Sequence, residues 1–359
     1  MKRVERSLRS GLIGIGLVLV HTAVAQIANT GFADSTGGVR LGNAQLALGA
    51  SIDVYRTFSR TDHEEITGLV SSSRLNEWNV NLALLDVRFR LDRVRGRLIP
   101  GFGTYMERNY APGEPRLLEG NVGFRPFPRS DLWIDIGILG SPFTNETPIA
   151  RDHLMYTRSL SAEYVPYFLS GARASLPFGK RITAYGYWVN GWQQVRDQVK
   201  GSAGLVQIEY RPHSTWLLNL NAFTGRELHA TAGTTATRHF LDFYCIHDNA
   251  RGTRLTGSAY AGLQSGDAWH QANLIVERTL RSRLSASLRA EWFRDPSGVV
   301  LPTALTALDR GLFGFALGLR LPIEDHVLVR AEYRALEGTW TPDGRSPLTY
   351  FTLHAGLTL

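Results

Sequence analysis

The residues with the greatest chemical reach here are arginines and carboxylates spaced two apart along short alternating segments. Arg88 and Arg90, Arg95 and Arg97, Arg289 and Glu291, and the series Arg330, Glu332, Arg334 all keep that interval. Residues two apart in an extended strand share a face, so each series lines one side of one strand with charge. Rings of such side chains set ion preference in a water-filled pore. Other chemistries find less support. His239, Asp242 and His247 could in principle hold a metal, but the two histidines share one strand face and Asp242 lies on the other, so solvated or interfacial histidines fit better. Cys245 shares the face of Leu241 and Phe243, which suits a small apolar residue better than a reactive thiol. His354 lies on the polar face of the last strand, with no serine or acid placed beside it. Neither a His-Glu-x-x-His nor a Gly-x-Ser-x-Gly pattern occurs, which are the spacings of zinc hydrolysis and of a serine nucleophile elbow. One cysteine allows neither an internal disulfide nor a multi-cysteine zinc site. No catalytic residue, metal or cofactor is expected.

Such charges need elements that turn one face to water and the other to something apolar. Apolar residues recur at every second position in bursts of about ten, the length that crosses a bilayer as a tilted strand. Leu46, Leu48, Ala50, Ile52 and Val54 are one such series, and Val327, Val329, Ala331, Tyr333 and Ala335 another. The pattern predicts sixteen strands: 46–58, 76–91, 94–106, 117–127, 131–141, 168–178, 181–191, 202–211, 215–225, 237–247, 254–264, 269–280, 284–294, 311–321, 326–337 and 348–359. Short turns at 92–93, 128–130, 179–180 and 322–325 alternate with longer loops such as 59–75, 107–116, 142–167 and 295–310. That alternation marks a transmembrane antiparallel up-and-down β-barrel of the bacterial outer membrane. An even strand number lets the first strand close on the last and leaves no edge. A soluble sandwich also alternates, but its charges would need another home. An arginine facing lipid at mid-depth costs roughly 2–4 kcal/mol, whereas one facing a wet lumen does not.

The amino terminus agrees with export. Lys2, Arg3, Arg6 and Arg9 precede a ten-residue apolar run, and Ala23-Val24-Ala25 forms a small-residue cleavage site. This is the layout of a secretory signal peptide, and it divides the chain into a signal peptide at 1–25, a periplasmic segment at 26–45 and a barrel at 46–359. The whole chain holds 39 Lys and Arg against 32 Asp and Glu. Four of those bases and one acid lie in the leader, so the remainder is only mildly basic. With no basic run interleaved with aromatics, nucleic acid is not an expected partner.

The stretch Gly140-Ser141-Pro142-Phe143, Tyr156-Thr157-Arg158-Ser159, Pro166-Tyr167-Phe168, Gly171-Ala172-Arg173-Ala174 and Val189-Asn190-Gly191-Trp192 resembles the OmpL-like β-barrel porin family. The strands around Leu288 to Phe293 and Leu328 to Arg334 are similar to that family's closing strands. The resemblance covers most of residues 46–359. It implies an outer-membrane channel without catalytic residues. One departure is the final residue, Leu359, where such barrels usually end in an aromatic that the assembly machinery reads.

The expected lumen carries Arg88, Arg90, Arg95, Arg97, Arg173, Arg289, Arg320, Arg330 and Arg334 against Asp86, Asp135, Glu209, Glu277, Glu291 and Glu332. Arginine exceeds acid modestly, which favours anions; the same charges could equally form ladders of ion pairs along the wall. The longest connection, 142–167, is expected to fold inward and constrict the pore. Thr147-Pro148 reads as a helix start, and Ile149, His153, Tyr156 and Leu160 recur at near-helical spacing. Its Glu146, Asp152 and Glu163, beside Arg151 and Arg158, would then face wall arginines such as Arg173 or Arg95. The function expected is passive diffusion of small hydrophilic solutes, with weak anion preference. A solute-selective channel with Tyr105, Tyr185, Tyr187 and Trp192 facing the lumen, an outer-membrane lipase or protease, and a plugged adhesion or structural barrel are the alternatives. Outer-membrane lipid, small hydrophilic solutes, the barrel assembly machinery and further copies of the chain are the expected partners.

Overall fold

The computed structural model describes residues 39–41, 43–61, 63–230, 232–249, 251–301, 311–337 and 348–359. The expected signal peptide lies outside them. Seventeen strands follow in chain order: β1 Val39–Leu41, β2 Ala44–Ser59, β3 Trp78–Arg90, β4 Val94–Phe102, β5 Leu117–Phe124, β6 Trp133–Gly140, β7 Phe168–Phe178, β8 Ile182–Val189, β9 Ala203–Tyr210, β10 Trp216–Leu228, β11 Thr235–Asn249, β12 Thr253–Gln264, β13 Asp267–Thr279, β14 Ser285–Arg294, β15 Leu312–Pro322, β16 Val327–Glu337 and β17 Leu348–Thr358. Each of β2 to β17 pairs antiparallel with its sequence neighbour. β17 returns to β2 in the register Tyr350↔Ser59 to Thr358↔Ser51. The sixteen-strand sheet is therefore a closed barrel, and every ladder group finds a partner without an edge. β1 folds back on β2, pairing Val39 with Leu46.

The alternation expected from sequence becomes an inside and an outside. Along β16, Leu328, Arg330, Glu332, Arg334 and Leu336 are buried. Their neighbours Val329 and Tyr333 point outward, 37% and 44% exposed. Leu241 and Phe243 on β11 and Phe313, Phe315, Leu317 and Leu319 on β15 are likewise exposed apolar residues, as a lipid-facing wall requires. No helix among the described residues is long and apolar enough to cross a membrane; the crossing elements are strands.

The strand expected over 94–106 stops at Phe102. Gly103 has φ +110°, and a Cβ there would lie 2.6 Å from the Asn81 carbonyl oxygen. The chain turns at this glycine into a short helix, α1, Thr104–Asn109. The helix expected from Thr147-Pro148 does not form. A single 3-10 turn, Ala150–Asp152, and a one-turn helix, α2, Leu160–Glu163, stand in its place. Wall side chains take the backbone groups that a helix would pair internally, as described next.

Candidate functional site: a strapped lumen

Residues 141–167, between β6 and β7, enter the barrel as a strap and are anchored by the facing wall. Asp242 on β11 accepts the Thr144 N–H at 3.1 Å. Asn145 donates to Thr256 and Asn273, at 3.0 and 3.2 Å. Glu332 on β16 accepts the N–H groups of Tyr156 and Thr157, both at 2.9 Å, and the Thr157 hydroxyl. Glu291 on β14 accepts the Leu160 N–H at 2.6 Å. Arg330 donates to the carbonyls of Ala150, Arg151 and His153, at 2.6, 3.2 and 2.7 Å, while Arg289 holds Thr157. Inside the strap, Arg158 donates to the carbonyls of Thr147 and Pro148. Hydrogen bonds from charged groups are about twice as strong as neutral ones. They outcompete the i→i−4 ladder and explain the missing helix.

The wall charges fall into two zones. At the waist, Arg289 bridges Glu291 and Glu332, each at 3.2 Å, and Arg334 meets Glu291 at 2.6 Å, with every side chain at most 1% exposed. Nearer the short turns, Arg97 joins Asp86 and Glu119, Arg88 joins Asp86, and Arg211 joins Glu209. Arg254 joins Glu277. Here Arg88, Arg95, Arg211 and Arg254 keep 20–27% of their side chains exposed. Arg90 stacks its guanidinium over Trp133. Among the described residues Arg320 has no ion-pair partner within 4.0 Å, and it stands directly opposite Arg330 across the β15–β16 ladder. The short-turn half of the lumen is thus wet and arginine-lined, and the waist is dry.

Toward the long loops the lumen fills with apolar side chains. Phe143 of the strap stacks on Trp192 at 5.5 Å and meets Phe240 edge-on at 5.2 Å; Tyr164 lies 4.8 Å from Phe293. Val299 and Leu301, from the loop after β14, are buried in the same cluster, their N–H groups capped by Asp295. The loop after β2 also enters: its Val70 and Ser71 N–H groups donate to Glu163 at 2.7 and 3.3 Å. Two small cavities, each about 50 Å³, remain beside the strap. One is lined by Arg151, Arg320 and His354, the other by Arg97, Glu119, Glu146 and Tyr167.

The strap's acids do not face Arg173 or Arg95. Those two arginines share Asp135, at 2.8 and 2.7 Å. Glu146 instead accepts the N–H and hydroxyl of Ser159, and Glu163 binds the β2–β3 loop. Burial pushes both carboxyls upward. Asp152 is pushed up to about 6, chiefly by burial, against the pull of Arg151 and Arg330. Arg151 reaches the Asp325 carbonyl at 2.7 Å. Of the aromatic candidates, Tyr105, Tyr185 and Tyr187 are buried inward, with Arg158 over the Tyr105 ring at 4.8 Å, and Trp192 belongs to the apolar cluster.

The other candidates stay apart. His247 stacks on Trp216 at 4.3 Å on the outer wall, and His239 also faces out, whereas Asp242 points inward to the strap. His354 stacks on Tyr156 at 4.0 Å. Tyr156 donates to Asp53 at 3.0 Å. Sequence reasoning missed Asp53 and Asn273, the anchoring role of Asp242 and the two additional loops. Inward parity was the available signal for the first three.

A closed antiparallel barrel of this kind has known relatives. The family model described as "Putative beta-barrel porin-2, OmpL-like" matches residues 45–359. The chain belongs to this family. Solved porins share its fold. The outer membrane channel DcaP of Acinetobacter baumannii aligns over 90% of this chain and 99% of its own, with TM-score 0.64 and 11% identity. OmpF of Salmonella typhi, solved with daunomycin, covers 90% and 100%, with TM-score 0.62 and 9% identity. An anion-selective porin from Comamonas acidovorans covers 88% and 100%, with TM-score 0.58 and 8% identity. A comparison with curated proteins finds no match. The porin fold and the family together place this barrel in the outer membrane.

Proposed function

We propose that this porin-like barrel is a passive diffusion channel for small hydrophilic solutes, with a weak preference for anions, and that the strap is its constriction. The observation that carries the reading is the lumen itself. Its inner half presents partly exposed arginines to water, and one chain segment crosses the waist on charged anchors. Arginines exceed acids in the inner half, and Arg320 faces Arg330 without an acid between them, so the local potential favours anions. Salt screens such a field over roughly 8–10 Å, which makes the preference weak and dependent on ionic strength.

Single-channel recording in planar bilayers, with reversal potentials under a salt gradient, tests both parts. Anion selectivity at low salt that fades at high salt is expected. Deleting residues 147–157 should raise conductance and admit larger sugars. Unchanged conductance and size cutoff in a folded deletion variant would place the constriction elsewhere. The apolar cluster around Phe143 and Trp192 favours a second reading, a barrel that does not conduct until the strap moves. A silent native protein that conducts after the deletion would select that reading.

A further inference from the structure

Near the long-loop end, β11 turns an arginine into the lumen where the wall is otherwise apolar. Arg238 is 3% exposed and shares the inward face of the strand with Phe240, two residues on. Its guanidinium lies between two indoles, 5.0 Å from the centroid of the Trp192 ring and 5.5 Å from that of Trp269. Nε and Nη2 donate to the Gln264 side-chain oxygen at 3.0 and 2.8 Å, and Nη2 also reaches the Leu228 carbonyl at 3.0 Å. Nη1 donates to none of the described residues, and no carboxylate among them comes within 4.0 Å of this guanidinium.

The acids that face Arg238 are engaged elsewhere. Glu227 accepts the Trp192 N–H at 2.8 Å and the Gln194 side-chain amide at 3.0 Å. Asp295 accepts the N–H groups of Val299, Val300 and Leu301. At the waist, by contrast, Arg289 and Arg334 meet carboxylates directly. Cation–π contacts stabilise a guanidinium by about 0.5–2 kcal/mol, but they bring no negative charge, and buried charges are ordinarily paired. Arg238 therefore keeps its capacity for an anion. A second unspent donor lies beside it: the indole N–H of Trp269, fully buried, has no hydrogen-bond partner among the described residues. A glycine sets that indole in place. A Cβ on Gly262 would fall 2.0 Å from the Trp269 ring, so only a bare backbone lets the indole lie against the wall there. Trp192, carried by the loop after β8, is the half-buried member of the group, and the approach from the external side passes it.

We infer, resting on the channel reading above, that the outer mouth recognises an aromatic carboxylate before it reaches the waist. The carboxylate pairs with Arg238 and accepts the Trp269 N–H, using the two acceptor oxygens that such a group offers. The ring packs into the aromatic cluster around Trp192, a contact worth about 0.5–1.5 kcal/mol beyond area burial. An amine of the same shape meets like charge, and an aliphatic carboxylate leaves the aromatic surface unused.

The test is a fluorine NMR titration of the full-length barrel, refolded in detergent, with para-fluorobenzoate as the probe. The wild type should bind it saturably, and more tightly than fluoroacetate or para-fluorobenzylamine. Arg238→Gln should weaken binding roughly 10- to 150-fold, the worth of a hydrogen bond to a charged group. Trp269→Phe keeps a ring, removes only the N–H and should weaken binding about 2- to 10-fold; it also serves should Arg238→Gln fail to fold, as judged by heat-modifiable mobility. Absence of saturable binding, equal affinity for the amine or for fluoroacetate, or native affinity in the folded variants would overturn the proposal. Conductance, recorded separately in planar bilayers, tests the channel reading on its own. A silent barrel that binds para-fluorobenzoate keeps the site and refutes the channel, whereas a conducting barrel that does not bind it loses the site alone.

Discussion

Glu332→Ala should detach the middle of the strap while leaving the barrel closed. The Glu332 carboxylate accepts the backbone N–H groups of Tyr156 and Thr157 and the Thr157 hydroxyl, and it meets Arg289. All four residues are at most 3% exposed, so the groups left behind have no water to replace it. Breaking a buried pair by removing one partner costs about 3–5 kcal/mol. Each 1.4 kcal/mol is a factor of ten, so local opening of the strap should rise by about 140- to 4,000-fold. Hydrogen exchange reads such local opening directly. The Tyr156 and Thr157 amides should lose protection by that factor, while the ladder amides of β16 and β17 keep theirs. Channel recordings should show larger or noisier conductance. Glu332→Gln keeps an acceptor for the two N–H groups but abolishes the ion pair, and it should fall between wild type and alanine. Native protection of the strap amides in a folded Glu332→Ala barrel would refute the claim that this carboxylate anchors the strap.

Other expectations follow from the two faces and from the strap's acids. Val329→Arg puts charge on the lipid wall and should impair insertion by roughly 2–4 kcal/mol, read from folding yields in vesicles; Arg330→Ala should insert normally yet loosen the strap, and equal effects on folding would contradict the face assignment. Arg320→Gln should move the reversal potential toward cations, and no shift would remove this residue from the ion path. Asp152, raised to about 6 when the strap is docked, binds protons more tightly docked than released. Its contribution to docking should strengthen as pH falls from about 6 toward the ordinary carboxylate range. His153, held well below its usual value by burial, acts with the opposite sign, so the measurement is the difference between wild type and Asp152→Asn. A strap exchange profile whose pH dependence is the same in both would rule Asp152 out.

Much of the barrel was legible because a strand's side-chain period is two and lipid tolerates no charge. Arg330 could only point inward if Val329 pointed out, and the same logic oriented β2, β11 and β14. Turn residues at Gly179-Lys180 and Asp92-Arg93 marked one rim. Legibility ended where partners are distant in sequence. The Thr147-Pro148 signal is real local chemistry, since the Thr147 hydroxyl does accept the Ile149 N–H at 3.2 Å. Arg289, Glu291, Arg330 and Glu332, four wall side chains more than a hundred residues away, then claim the backbone that would have continued the turn. Asp135 likewise gathers Arg95 and Arg173 through two ladders that no local pattern reveals. The stop at Phe102 depends on Gly103, whose positive φ and close approach to the Asn81 carbonyl of β3 no local pattern reveals.

The strap's anchors also bear on how the barrel is assembled. Ala150 is separated by 180 residues from Arg330, which holds its carbonyl, and Glu332 and His354 lie in the last two strands. The segment is therefore synthesised early but can dock only after the carboxy-terminal strands are in place. Contacts of such long sequence separation form late, because loop closure must precede them. Through most of insertion the wall leaves room for an undocked strap, and sealing follows closure of β17 on β2. Transient leakage across a membrane receiving this protein would thus time the final ring closure, and a persistent leak would mark chains that never completed it.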